Sequence, residues 1–191
     1  MKTTIELLKI GEVNQSVLVK LKKNLERSFK GIYLSINIIQ EPLSLEKAEY
    51  NQKRRQYDAS KVLTKILYFA QNKRFFRILG VIDKDLYTKP LNFVFGLAIN
   101  PKTRIPEFPV AALISVTRLR ENFYRRAENN TLFDLRVLKE AVHELGHTFS
   151  LEHCNRFCIM RFSNSLADTD KKPPEFCESC QNKLLNFFSN L

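Results

Sequence analysis

All three histidines of this 191-residue chain fall within one short segment, His143-Glu144-Leu145-Gly146-His147-Thr148-Phe149-Ser150-Leu151-Glu152-His153. If the three converge on one ion, the chain must be helical through the first two and must then reverse. His143 and His147 are four residues apart, so on a helix their rings sit one above the other on the same side. Two imidazoles so placed can grip one zinc ion. Glu144 is rotated about 100° away, beside the metal and not one of its ligands. There it can take a proton from a water that the metal acidifies. His153 comes six residues after His147, and a continuous helix would carry it off. The chain therefore has to turn after about Phe149. Three nitrogens plus one free position is the open arrangement of a catalytic zinc. HExxH by itself also arises by chance on a charged helix; the third histidine, with none left over, makes the pattern specific.

The four cysteines form a second group. Cys154 and Cys158 enclose three residues, Cys177 and Cys180 enclose two, and eighteen lie between the pairs. Paired thiolates at such spacings are the pattern of a closed zinc site, with two disulfides or inert buried thiols as alternatives. Cys154 follows His153 directly, so the two groups share a backbone junction. A metal held by the cysteines would help fix where His153 points.

The rest of the composition narrows the class. A chain of this length makes one ordinary domain. With 44% hydrophobic and 27% charged residues it is globular and not disordered. No apolar run is long enough to span a bilayer, and Met1 to Glu12 carries no secretory signal. The expected location is the cytoplasm, where thiols stay reduced and serve better as metal ligands than as disulfides. The formal charge of +11 invites a nucleic-acid or membrane partner. No nucleic-acid motif accompanies it, so a solvated basic surface is expected, its densest run being Arg118 to Arg126.

Five strands and four helices are legible. Thr4 to Ile10, Ile32 to Ile39, Phe76 to Ile82, Phe93 to Ile99 and Val110 to Val116 read as strands. The last two are read as an antiparallel pair joined by a long loop with Asn100-Pro101, Pro106 and Pro109. Val17 to Phe29 reads as an amphipathic helix with Ser16 at its cap, and Asp58 caps a second helix running to about Gln71. Thr131 with Asp134 resembles a capping box that opens a third helix. Its apolar stripe is Leu132, Leu135, Leu138, Val142, Leu145 and Phe149. A last helix covers about Cys177 to Leu191. The order predicts an α/β or α+β domain with a mixed sheet.

At the histidines and cysteines the chain resembles the archaemetzincins, a family of metzincin-clan metallopeptidases. The family pattern, HExxHxxGxxHC, then Cys-x-Met, then CxxC, meets His143 to Cys154, Cys158-Ile159-Met160 and Cys177-Glu178-Ser179-Cys180. Met160 matches the methionine of the turn beneath the metal. Gly80 to Tyr87 and Asn92 to Ala98 are similar to family strands. The resemblance implies a zincin-like fold: a twisted, mixed five-stranded sheet, an active-site helix, and a small zinc-stabilised C-terminal subdomain. The upper part would run over about 1–152 and the lower over about 153–191. It also implies two zinc ions, one catalytic on His143, His147 and His153 and one structural on the four cysteines. Asn92 to Ala98 would be the edge strand that pairs with an extended peptide substrate. Two departures stand out: Ser150 replaces the family glycine, and the Cys154–Cys158 spacing is one residue short. No tyrosine follows Met160 to serve as an oxyanion donor.

The function expected is peptide hydrolysis by a monomer, with Glu144 as general base and a peptide or protein as substrate. A non-catalytic, zinc-stabilised peptide- or protein-binding domain is the alternative. A four-cysteine nucleic-acid module is a further one. Glu144 speaks against a purely structural site, which has no use for an unliganded carboxylate.

Overall fold

The computed structural model describes residues 3–101 and 109–191. Most of the proline-bearing loop, including Pro106, lies outside the described residues. Its two flanking strands do form the expected antiparallel pair.

The elements are, in order, β1 (Thr4–Ile10), α1 (Gln15–Ser28), β2 (Ser35–Ile38), β3 (Tyr50–Asn51), β4 (Gln56–Asp58), α2 (Ala59–Lys73), β5 (Arg77–Ile82), β6 (Leu86–Tyr87), β7 (Gly96–Ala98), β8 (Val110–Ser115), α3 (Asn130–Thr148), α4 (Leu166–Lys171) and α5 (Glu178–Ser189). The main sheet has the order β2-β1-β5-β8-β7. Its first four strands are parallel and β7 runs antiparallel to β8 at the edge. β5 (RILGVI) and β8 (VAALIS) are buried at every position, as strands covered on both faces must be. One face carries α2, packed through Val62, Ile66 and Ala70. The other carries α1 and α3, and against the same core lie Cys158, Met160 and Leu184 from the C-terminal part.

Three helix starts teach a local lesson. Asp58 caps α2 as expected, accepting from Ser60 and Lys61 amides. α1 instead begins at Asn14, whose side chain accepts from the Ser16 amide at 2.9 Å. α3 begins at Asn129, which accepts from the Leu132 amide at 2.9 Å, so the Thr131–Asp134 box does not form. Asparagine caps as well as serine or aspartate, and one stands just upstream in both places. Asp134 reaches Lys20 on α1 at 2.8 Å instead.

The expected stripe on α3 is also incomplete. Leu132, Leu135 and Leu138 are only partly covered, whereas Phe133, Val137, Ala141 and Leu145 are buried. From Arg136 onward α3 is enclosed on most sides, because the sheet, α1 and α4 all pack on it. Its far end is anchored by Arg77, which is buried under the rings of Phe76, Phe149 and Phe187. Arg77 Nε donates to the Thr148 carbonyl at 3.0 Å, satisfying one acceptor that the helix end leaves free. A small second sheet, β3-β4-β6, was not foreseen, since strands of two or three residues are too short to show alternation.

Three of the four arginines of the basic run are held in ion pairs. Arg118 grips Asp85 with two bonds of 2.6 and 2.7 Å, Arg120 meets Asp83 at 2.8 Å, and Arg126 meets Glu121 at 2.6 Å. Among the described residues no helix is long and apolar enough to cross a membrane.

Candidate active site

The histidines come together through three separate devices. The first is α3, which holds His143 and His147 one turn apart with their Nε2 atoms 3.2 Å from each other. The second is the helix end. Ser150 adopts φ +65°, its amide donates to the His147 carbonyl, and the Leu151 amide donates to the Gly146 carbonyl, both at 3.0 Å. That pair of bonds is a Schellman termination, and it reverses the chain where the motif requires it. Serine in this conformation costs on the order of 1–2 kcal/mol. Part of that cost is offset where Ser150 Oγ donates to the Pro101 carbonyl at 3.0 Å. The third device is the turn Cys158-Ile159-Met160. The Cys154 amide donates to the Met160 carbonyl at 3.0 Å, tying down the backbone beside His153. The His153 ring then stacks on His143, with centroids 5.3 Å apart, and rests against Phe162 at 4.9 Å.

Met160 is fully buried under α3. A Cβ added to Gly146 would come within 2.4 Å of its sulfur, so only glycine lets the turn approach the helix this closely. The shortened Cys154–Cys158 spacing does no harm: the four sulfurs still lie within 4.8 Å of one another.

The chemistry of both groups fits zinc. His143 Nδ1 donates to the Ile159 carbonyl at 3.0 Å and His147 Nδ1 to the Leu151 carbonyl at 2.8 Å. Each ring proton is thereby assigned to Nδ1, leaving both Nε2 atoms with bare lone pairs. Two lone pairs 3.2 Å apart repel unless a cation lies between them. Two zinc–nitrogen bonds of about 2.0–2.1 Å at a tetrahedral angle set their nitrogens about 3.3 Å apart. The ligand atoms of all three histidines lie within 4.8 Å of one another. Burial lowers the pKa of each histidine, most strongly at His143, and the Lys172 charge lowers all three further. The rings are therefore kept neutral and ready to coordinate.

At the cysteines, Cys154 Sγ and Cys177 Sγ are 3.8 Å apart, and all four residues are free thiols. Four zinc–thiolate bonds of about 2.3 Å would place the sulfurs about 3.8 Å apart. The Cys158 sulfur accepts from the amides of Cys177 and Met160. Burial raises the Cys158 and Cys180 thiols. At Cys177 burial pulls the same way, but the Cys180 amide and the neighbouring thiols outweigh it and bring the pKa down to about 7.

Glu144 is buried beside the histidines and faces a cavity of about 200 Å³. Burial, and then the neighbouring Glu140 carboxylate, push it well above the usual carboxylate range, while Lys172 opposes them. A Cβ on Gly96 would come within 2.5 Å of Glu144 Oε1, so β7 and the carboxylate are in direct contact. Gly96 opens β7, and a strand glycine often marks such a close approach. The sequence reading missed Glu140, Ser163 and Lys172, which line the same cavity. They belong to no recognisable motif.

The residues singled out in the sequence thus form two clusters, nitrogen and sulfur. Known proteins resemble the chain over most of its length. Residues 3–186 match the model of peptidase family M54. An archaemetzincin of Pyrococcus furiosus is 40% identical, over 96% of this chain and 93% of its own. The crystal structure of the Archaeoglobus fulgidus archaemetzincin, complexed with malonate, superposes with a TM-score of 0.77 at 33% identity, covering 95% of this chain and 99% of that one. A zinc-dependent peptidase from Methanocorpusculum labreanum gives a TM-score of 0.80 at 28% identity, covering 94% and 99%. A chain that fits the M54 model over nearly its whole length, and aligns end to end with archaemetzincins, belongs to that family and is a zinc metallopeptidase.

Proposed function

We propose that this chain hydrolyses peptide bonds at a zinc centre held by His143, His147 and His153, with Glu144 as general base. The observation that carries the reading is the pair of facing, unprotonated Nε2 atoms beside a buried carboxylate on an open cavity. Zinc bound there supplies Lewis acidity, acidifying a water and polarising the scissile carbonyl. Glu144 accepts the water proton, and its raised pKa makes it the stronger base. It then returns the proton to the leaving amine. The Ile159 and Leu151 carbonyls fix the ring orientations throughout. β7 stands at the sheet edge next to Glu144, so its outer backbone groups are placed to align an extended substrate.

A second zinc on Cys154, Cys158, Cys177 and Cys180 completes the reading. It serves as the staple of a lower subdomain from about residue 153, distinct from the upper part over 1–152. The protein acts as a monomer in the cytoplasm, where four free thiols remain reduced. No nucleic-acid role is part of this reading; Arg118, Arg120 and Arg126 of the arginine run are held in ion pairs.

The test is Glu144→Gln in zinc-loaded protein. Peptide cleavage falls roughly a hundredfold to ten-thousandfold while metal content and melting stay close to wild type. His147→Ala is the control and loses both metal and cleavage. Equal cleavage by Glu144→Gln and wild type would refute the assigned role.

A further inference from the structure

The cavity beside the histidines contains two hydrogen-bond donors that peptide hydrolysis does not employ. Lys172 follows α4 and is 3% exposed. Its ammonium stands 3.0 Å from Glu140 Oε1, yet it has no hydrogen-bonding geometry to that or any other acceptor among the described residues. Glu140 Oε1 already accepts from Thr169 Oγ1 at 3.0 Å. The Ser163 hydroxyl is likewise buried without a partner. Both residues line the cavity onto which His143 and Glu144 open.

Lys172 is held there by its surroundings. Arg136 on α3 clamps Asp170 with two bonds of 2.6 Å, and Lys139 donates to the carbonyls of Thr169 and Asp170. α4 is thereby pinned to α3, with Lys172 one residue beyond it. The other buried cations of this region have hydrogen-bonded acceptors; Lys172 has the Glu140 charge beside it but no hydrogen bond. A buried donor without an acceptor is costly, and native proteins keep such groups chiefly where a ligand or water completes them.

The chemistry of the missing partner follows from the walls. Phe93, Phe95 and Phe162 contribute apolar surface, suited to a methylene stem. The donors suit an anionic acceptor. A basic side chain would meet Lys172 as a like charge with little water to screen it. Of the two carboxylates in the lining, Glu140 is already engaged by Lys172 and Thr169, and Glu144 stands beside the histidines. An aliphatic one would leave both donors unpaired.

We propose that this cavity is the specificity pocket of the peptidase, in which Lys172 and Ser163 select an acidic side chain next to the scissile bond. The proposal rests on reading the histidine trio as the hydrolytic centre. Glutamate fits best, its two methylenes lying along the aromatic wall while its carboxylate accepts from both donors.

The experiment uses zinc-loaded protein and two peptide hydroxamates that differ in one side chain, glutamate or leucine, adjacent to the metal-binding group. Binding is measured by calorimetry, independently of cleavage. The glutamate compound binds at least about tenfold more tightly to wild type, the advantage of a charge-assisted bond. Ser163→Ala narrows the ratio. Lys172→Met combined with Glu140→Gln, which removes the ion pair as a unit, abolishes it. Metal content and melting are checked for each variant, and Ser163→Ala alone decides if the double variant does not fold. Equal or weaker binding of the glutamate compound to wild type overturns the proposal. So does a preference that survives both changes, or no binding of either compound. In parallel, a peptide library reports cleavage. Selective binding without any cleavage sinks the hydrolytic reading and keeps the acidic pocket. Cleavage flanked by apolar or basic residues sinks the pocket and keeps the hydrolytic reading.

Discussion

The two clusters are assembled by opposite means. His143 and His147 stand on a 19-residue helix, and backbone carbonyls lock both rings before any metal arrives. Cys154 and Cys158 lie in a loop, where no regular structure fixes their spacing, and Cys177 and Cys180 stand at the start of α5. His143 lines a cavity and His153 is exposed, whereas Cys158 and Cys180 are buried and none of the cysteines is exposed. On the reading proposed above, one site is preorganised by the fold and the other, once it holds its metal, helps to make the fold. Removing metal should therefore have unequal consequences.

The sharpest break in that comparison is Cys177→Ser with Cys180→Ser. Structural zinc in small domains contributes apparent binding energies of about 10–16 kcal/mol. The double variant should lose one metal equivalent and melt far lower. Affinity at the histidines should also fall, since Cys154 adjoins His153. Metal analysis and melting measure both effects; an undiminished His153-ligated site would show that the clusters are uncoupled.

Mild chelation gives the next largest effect. The open, histidine-held ion should leave first, abolishing cleavage with little change in the far-ultraviolet dichroism. The thiolate-held ion should leave later and take ordered structure with it. Simultaneous loss of both ions would contradict the distinction.

Gly146→Ala probes the contact by which the helix and the Met160 turn meet. The added Cβ has only 2.4 Å to the Met160 sulfur, and overpacking of this kind costs about 1–3 kcal/mol. The variant should melt lower and bind the catalytic metal more weakly, because the Ile159 carbonyl shifts away from His143. Normal metal affinity at a lowered melting point would confine the contact to stability.

The smallest effect separates strain from bonding at Ser150. Ser150→Ala keeps the positive φ and loses the bond to Pro101, so it should cost about 1 kcal/mol. Ser150→Gly loses the bond but relieves the strain, and should exceed the alanine variant by about 1 kcal/mol. Thermal melts at fixed zinc compare the two; an alanine variant as stable as the glycine variant would mean the turn is unstrained.

Much of this was written in the sequence, for reasons of periodicity and spacing. Residues four apart on a helix must share a face, so His143 and His147 could be paired with no structure at all. β5 and β8 show mostly apolar runs, Ile78 to Ile82 and Val110 to Ile114, because both faces of the sheet are covered. The required turn after Phe149 followed from the distance to His153, and the left-handed Ser150 supplies it. The caps of α1 and α3 were legible in kind but misplaced, since Asn14 and Asn129 compete with the neighbours chosen.

Only the tertiary structure decided how α3 is enclosed and what shares the cavity with Glu144. Lys172 lies 28 residues beyond Glu144 in the sequence, and Gly96 lies 48 before it. Contacts of that kind are set by how α4 and β7 dock on α3, which depends on packing summed over many residues and leaves no local spacing to read. Helical and strand periods are properties of a few consecutive residues and survive in the sequence. The donors buried beside the histidines are properties of the folded whole.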